Sequence, residues 1–173
     1  MRPLPTTSQH VPIDEFKENI TKIVTHPIFT AHKPKILLVT PPPLDQIRVT
    51  QRDLENGHPE AQRHSAISAA YSEKVREVAR EVPGVVLVDL WQAVMDEAVA
   101  MTPGFVAGGP VLGSPECGQQ GGLAELLPDG LHMSGQAYKV FYRAIEPHIE
   151  TWEELDGFVF PGWMVLNPKS ESG

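Results

Sequence analysis

Apolar residues recur at Ile13, Phe16, Ile20, Ile23 and Val24, immediately after Pro12. Steps of three and four place them on one helical face, and proline is favoured at the opening of a helix. Thr25-His26-Pro27 ends that stripe. Lys35-Ile36-Leu37-Leu38-Val39-Thr40 is then a continuous apolar run of strand formers, the pattern of a parallel strand buried on both faces. Pro41-Pro42-Pro43 stops it, because proline cannot donate to a ladder. Residues 44–62 read as a polar surface loop, punctuated by Asn56-Gly57 and Pro59. From about His64 the stripe Ile67, Tyr71, Val75, Val78, Val82 predicts an amphipathic helix closed by Pro83-Gly84. Val85-Val86-Leu87-Val88-Asp89-Leu90 is a second buried strand, and Trp91, Val94, Met95 and Ala98 form the inner face of the helix after it.

Residues 102–122 hold seven glycines and three prolines, which predicts an irregular, mobile loop. Beyond it, Ser134 suits the N-cap of a closing helix bearing Ala137, Phe141, Ala144, Ile145 and His148. The order helix, strand, helix, strand, helix, helix predicts an α/β fold with a parallel sheet. Only two strands are evident, however, and two strands leave both edges of the sheet unpaired. The pattern therefore reads as the back end of a larger domain whose neighbouring strands precede it. No internal repeat and no second domain is visible. Past Trp152 the tail turns acidic and then aromatic and Pro-rich (GFVFPGW).

Composition narrows the function. At 173 residues, 41% hydrophobic and 21% charged, the chain suits one globular domain. A formal charge of -8 without any Lys/Arg cluster argues against nucleic acid or an anionic membrane as partner. Cys117 is the single cysteine, so no intrachain disulfide can form and a cytoplasmic setting is the simpler expectation. MRPLPTTSQHVP has no apolar stretch resembling a signal peptide, and no apolar run approaches the length of a membrane span.

The candidate chemistry centres on Asp129 and His132, three apart on a loop ahead of a helix. At that spacing the carboxylate can reach the near ring nitrogen, fix the tautomer and leave the far nitrogen to take a proton from a nucleophile. Asp-Gly is also a common turn, so spacing alone leaves a structural role open. Leu127-Pro128-Asp129-Gly130-Leu131-His132-Met133-Ser134-Gly135-Gln136-Ala137-Tyr138 resembles the last block of the SGNH (GDSL-like) hydrolases, above all the isoamyl-acetate-hydrolysing esterase branch. Ile36 to Pro43 is similar to that family's fourth sheet strand. Tyr71 to Trp91 and the Val11-Pro12 helix follow the same branch, so the likeness spans roughly residues 9 to 150.

That resemblance implies a three-layer α/β/α, flavodoxin-like SGNH hydrolase fold with an incomplete parallel sheet. It implies His132 as general base and Asp129 as the group that orients it. Residues 1–150 would be the C-terminal portion of the hydrolase domain, and residues 151–173 a tail. The family's Gly-Asp-Ser nucleophile motif, its Gly-x-Asn-Asp oxyanion motif and its oxyanion-hole glycine have no counterpart in this sequence. None of Ser8, Ser65, Ser68, Ser72, Ser114 and Ser134 sits in a Gly-x-Ser-x-Gly elbow. Ser114 is the least implausible substitute.

Other candidates are weaker. His26, His32, His58 and His64 lack a His-Glu-x-x-His or Cys/His setting and read as solvated loop residues. Cys117 has no sequence partner. Asp89 reads as a helix cap, although strand ends of α/β folds often carry function. Arg48, Arg52 and Arg63 either line a substrate mouth or form a solvated face, which is commoner. The expected activity is carboxylic-ester hydrolysis of small acyl esters such as acetates, by acyl transfer through serine without metal or organic cofactor. The alternative is a catalytically inactive remnant or pseudoenzyme serving as an interaction module. Expected partners are a small-molecule ester, a partner or second copy engaged through the aromatic tail from Trp152 to Pro168, and a second chain that donates the missing strands.

Overall fold

The computed structural model describes residues 10–149. Helix α1 (Ile13–Val24) opens directly after Pro12, with Asp14 and Glu15 in its first turn and Lys22 in its last, each sign matched to the helix dipole. A single turn, α2 (Pro27–Thr30), leads to strand β1 (Ile36–Val39). Helix α3 (Gln46–Glu55) and helix α4 (Ser65–Glu81) carry the chain over to β2 (Val85–Val88). Helix α5 (Leu90–Ala100) follows at once, and after a long irregular segment come α6 (Leu123–Leu126) and α7 (Gly135–Ile145).

β1 and β2 pair in parallel, Ile36 opposite Val85 through Val39 opposite Val88. Among the described residues they form the whole sheet. Seven of their eight residues stay partly exposed, Val88 being the buried exception. The expectation of burial on both faces is met only in part, because a two-stranded sheet has no central strand.

Helices α1 and α4 make one layer. Val75 and Val78 of α4 are buried, and Phe16 of α1 meets Tyr71 of α4 edge-on with ring centroids 4.7 Å apart. Lys17 braces the same pair of helices against Glu77 and Glu81. The other layer is the main core, where Leu90, Val94, Met95 and Ala98 of α5 pack with Leu112, Leu123, Leu126, Leu127, Ala137 and Val140. No helix among the described residues is long and apolar enough to cross a membrane.

Two segments depart from the sequence reading. The stretch read as a polar loop contains α3, which is buried through its cap Asp45 and through Val49 and Asp53 rather than through an apolar stripe. Hydrophobic periodicity cannot register a helix buried through carboxylates. The glycine-rich segment is irregular, as expected, yet it is pinned: Gly113 exchanges backbone bonds with Ile47 and Gln119, and Gly122 N–H donates to Thr102 Oγ1 at 2.9 Å. The aromatic tail lies outside the described residues.

Candidate active site

Leu127 to Ser134 is a short loop between α6 and α7, and its shape follows from three local devices. Leu126 O accepts from Ser134 N–H at 2.9 Å, and Leu127 O accepts from Gly130 N–H at 2.8 Å. Ser134 caps α7, its Oγ accepting from Ala137 N–H at 3.3 Å. Asp129 Oδ1 accepts from the backbone N–H of Leu131 (3.0 Å) and of His132 (2.7 Å), an Asx turn that closes the loop on itself.

The second carboxylate oxygen is thereby aimed at the ring: His132 Nδ1 lies 2.7 Å from Asp129 Oδ2. An ionised carboxylate has no proton to give, so Nδ1 carries the hydrogen and Nε2 of the neutral ring keeps a bare lone pair. The imidazole is 79% exposed, and Nε2 has no partner among the described residues. The ring's hydrogen bond holds the Asp129 carboxyl well below the usual carboxylate range, with the backbone donors of His132 and Leu131 adding to the effect against some cost of burial. The arrangement can accept a proton at Nε2 from a hydroxyl placed above it and can stabilise the resulting imidazolium.

Helix α3 supports this loop from below. Asp45 N–H donates to Gly130 O at 3.0 Å, and Arg48 Nε reaches Pro128 O at 3.4 Å. Gly130 has φ +85°, and a Cβ there would stand 2.7 Å from Val49 Cγ2 and 2.8 Å from Asp45 O. Glycine is required twice over, by backbone angle and by close approach. Asp45 is fully buried, caps α3 by accepting from Arg48 N–H (3.1 Å), and accepts from Gln120 Nε2 at 2.6 Å. Arg52, one turn further, places Nη1 3.2 Å from Asp129 Oδ2.

His132 faces a polar recess of about 210 Å³ lined by Val49, Arg52, Asp53, Arg63 and Asp129 among others. Leu131 and Arg63 also line a neighbouring, apolar cleft of about 250 Å³ built from Pro41 to Leu44, Ile67 and Tyr71. No serine lines the polar recess among the described residues. Ser114 is buried, its Oγ accepting from Cys117 N–H at 3.2 Å, and Ser65 and Ser68 are bonded to Gln46 and Pro42 O. Asp89 does cap α5, accepting from Gln92 N–H, while it also takes two bonds from Arg76 at 2.8 and 2.9 Å. Of the three loop arginines, Arg52 and Arg63 reach the recess and Arg48 holds the loop backbone. Sequence reasoning missed Asp45 and Val49. Their spacing with Arg48 and Arg52, at steps of three and four, was the available signal, and it is carried by polar residues.

Among known proteins, a family model described as GDSL-like Lipase/Acylhydrolase matches residues 3–145. A GDSL esterase/lipase of Arabidopsis thaliana is 31% identical over 90 residues, covering 51% of this chain and 27% of that protein. An isoamyl acetate-hydrolyzing esterase 1 homolog of Bos taurus is 26% identical over 157 residues, covering 90% of this chain and 53% of its own. A second Arabidopsis GDSL esterase/lipase is 27% identical over 138 residues, with 79% and 48% covered. The chain thus spans about half, or less, of the length of these curated relatives.

Proposed function

Because the chain belongs to the GDSL-like lipase/acylhydrolase family, we propose that it is the C-terminal portion of a carboxylic-ester hydrolase for small acyl esters, acetates among them. In this reading His132 is the general base. It takes the proton of a serine hydroxyl through Nε2 and later returns it to the leaving alcohol, while Asp129 orients the ring and stabilises its charged form. The observation that carries the proposal is the 2.7 Å contact between Nδ1 and Oδ2 on a ring otherwise open to solvent. The apolar cleft beside it supports a small, largely apolar ester as substrate. Residues 1–150 belong to the hydrolase domain on this view, and residues 151–173 are a tail.

The serine and the oxyanion donors are supplied by sequence other than these 173 residues. Supporting this are the lack of a Gly-Asp-Ser tripeptide, the two-stranded sheet of the described residues, and the fraction of each relative that the chain covers. Without a nucleophile, an acyl-transfer site retains at most ~10³–10⁴-fold catalysis over water, and that only with its oxyanion hole intact. The isolated chain is therefore expected to hydrolyse a fluorogenic acetate ester no faster than the His132→Ala variant does. Robust turnover abolished by that substitution would show that a nucleophile is already present. Fusing a Gly-Asp-Ser-bearing segment from a relative to the N-terminus should confer turnover that His132→Ala removes; a fusion that folds but stays inactive with every ester tried would count against the hydrolase reading.

A further inference from the structure

Four residues of α3 and its cap address one loop. Asp45, Arg48, Val49 and Arg52 occupy steps of three, four and seven along the helix, so they share a face. That face meets Gly130 O, Pro128 O, the side-chain-less face of Gly130 and Asp129 Oδ2 in turn. Three of these contacts hold backbone. Arg52 alone reaches the carboxylate, and it does so at the same oxygen that holds the imidazole, 3.2 Å against 2.7 Å.

We infer that Arg52 is a positioning residue for the Asp129–His132 pair, its cation sharing Oδ2 so that the carboxylate holds the ring's proton less tightly than it would alone. The inference rests on the reading of that pair as a proton carrier. A base that binds its proton too firmly is a poor donor to the departing alkoxide, so a cation behind the carboxylate favours the second half of acyl transfer. Among the described residues, the charged groups facing the ring's recess are Arg52 and Asp53 from α3, Arg63 from the connection to α4, and Asp129 from the loop itself. Arg63 lies 4.0 Å from Asp53, which offsets its charge locally, so that among the described residues Arg52 is the cation set against Asp129. Its guanidinium is half exposed, so the effect is a moderate one, screened by salt.

The test is NMR titration of the His132 ring in the 173-residue chain, following its ring carbon and nitrogen signals with pH in wild type, Arg52→Gln and Arg52→Lys. No turnover is needed. With the cation removed, the ring's midpoint is expected to rise by about 0.3–0.6 pH unit, the size of one solvent-screened charge a few ångströms beyond a carboxylate. Arg52→Lys should hold the midpoint at its wild-type position. An arginine that merely propped the carboxylate would give the opposite sign, because a loosened Asp129 stabilises imidazolium less. An unchanged or lowered midpoint in Arg52→Gln, with amide spectra showing the fold intact, therefore overturns the inference and leaves the pair itself standing. If the wild-type ring shows no proton held at Nδ1 by Asp129, both the pair and the role of Arg52 fall together.

Discussion

Gly130 sits where the loop must turn with positive φ and where α3 leaves no room for a methyl group. Gly130→Ala must push Val49 and the Asp45 carbonyl aside while adopting an angle that L side chains avoid. It is expected to cost about 1–3 kcal/mol in urea unfolding and to disperse the ring signals of His132. Asp129 makes a second prediction at this scale. Its carboxyl is held below the ordinary range in the folded protein, so between the two values the unfolded chain binds more protons. The stability it contributes is complete above the unfolded value near 4 and fades as pH falls through and below it. Between about pH 4 and 2, Asp129→Asn should lose stability less steeply than wild type in pH-resolved unfolding curves.

Elements differ in what holds them, and that decides which were legible. The Ile67-to-Val78 stripe predicted α4, and the Trp91-to-Ala98 face predicted α5, which packs with Leu126 and Leu127 in the main core. Leu126→Ala should cost about 2–5 kcal/mol by denaturant titration, the ordinary range for emptying a packed leucine site. Caps were legible too: Ser134 and Asp89 do what short polar residues before an apolar run are chosen for. Helix α3 was not. Its hold on the molecule is Asp45, whose carboxylate closes the helix start and takes Gln120 from the glycine-rich segment. Asp45→Ala strands those donors and is expected to cost about 1–3 kcal/mol. It should also weaken amide protection in α3 and at Gly130 together, as hydrogen exchange would show. The Asp129–His132 spacing allowed the candidate pair, and the resemblance of the surrounding block, Leu127 to Tyr138, singled it out. The helix beneath it was invisible because it is fastened by carboxylates and one valine.

At the scale of the molecule, two features oppose each other. The α5–α7 side has a closed core, whereas among the described residues β1 and β2 each present an unpaired edge with partly exposed valine, leucine and isoleucine. Open edges recruit strands. Sedimentation over a hundredfold concentration range is expected to show the average mass rising with concentration; a constant monomer mass would mean that the edges are guarded in solution. The loop that bears His132 is held by α3 and its cap rather than by either strand. Its seat is made by side-to-side contacts between α3 and residues 128–130, and the connecting stretch at Gly108–Gly109 lies out in solvent. A protease nick at that tip should therefore yield two pieces that co-purify with the imidazole still docked, so the two halves of the recess could be made separately and mixed.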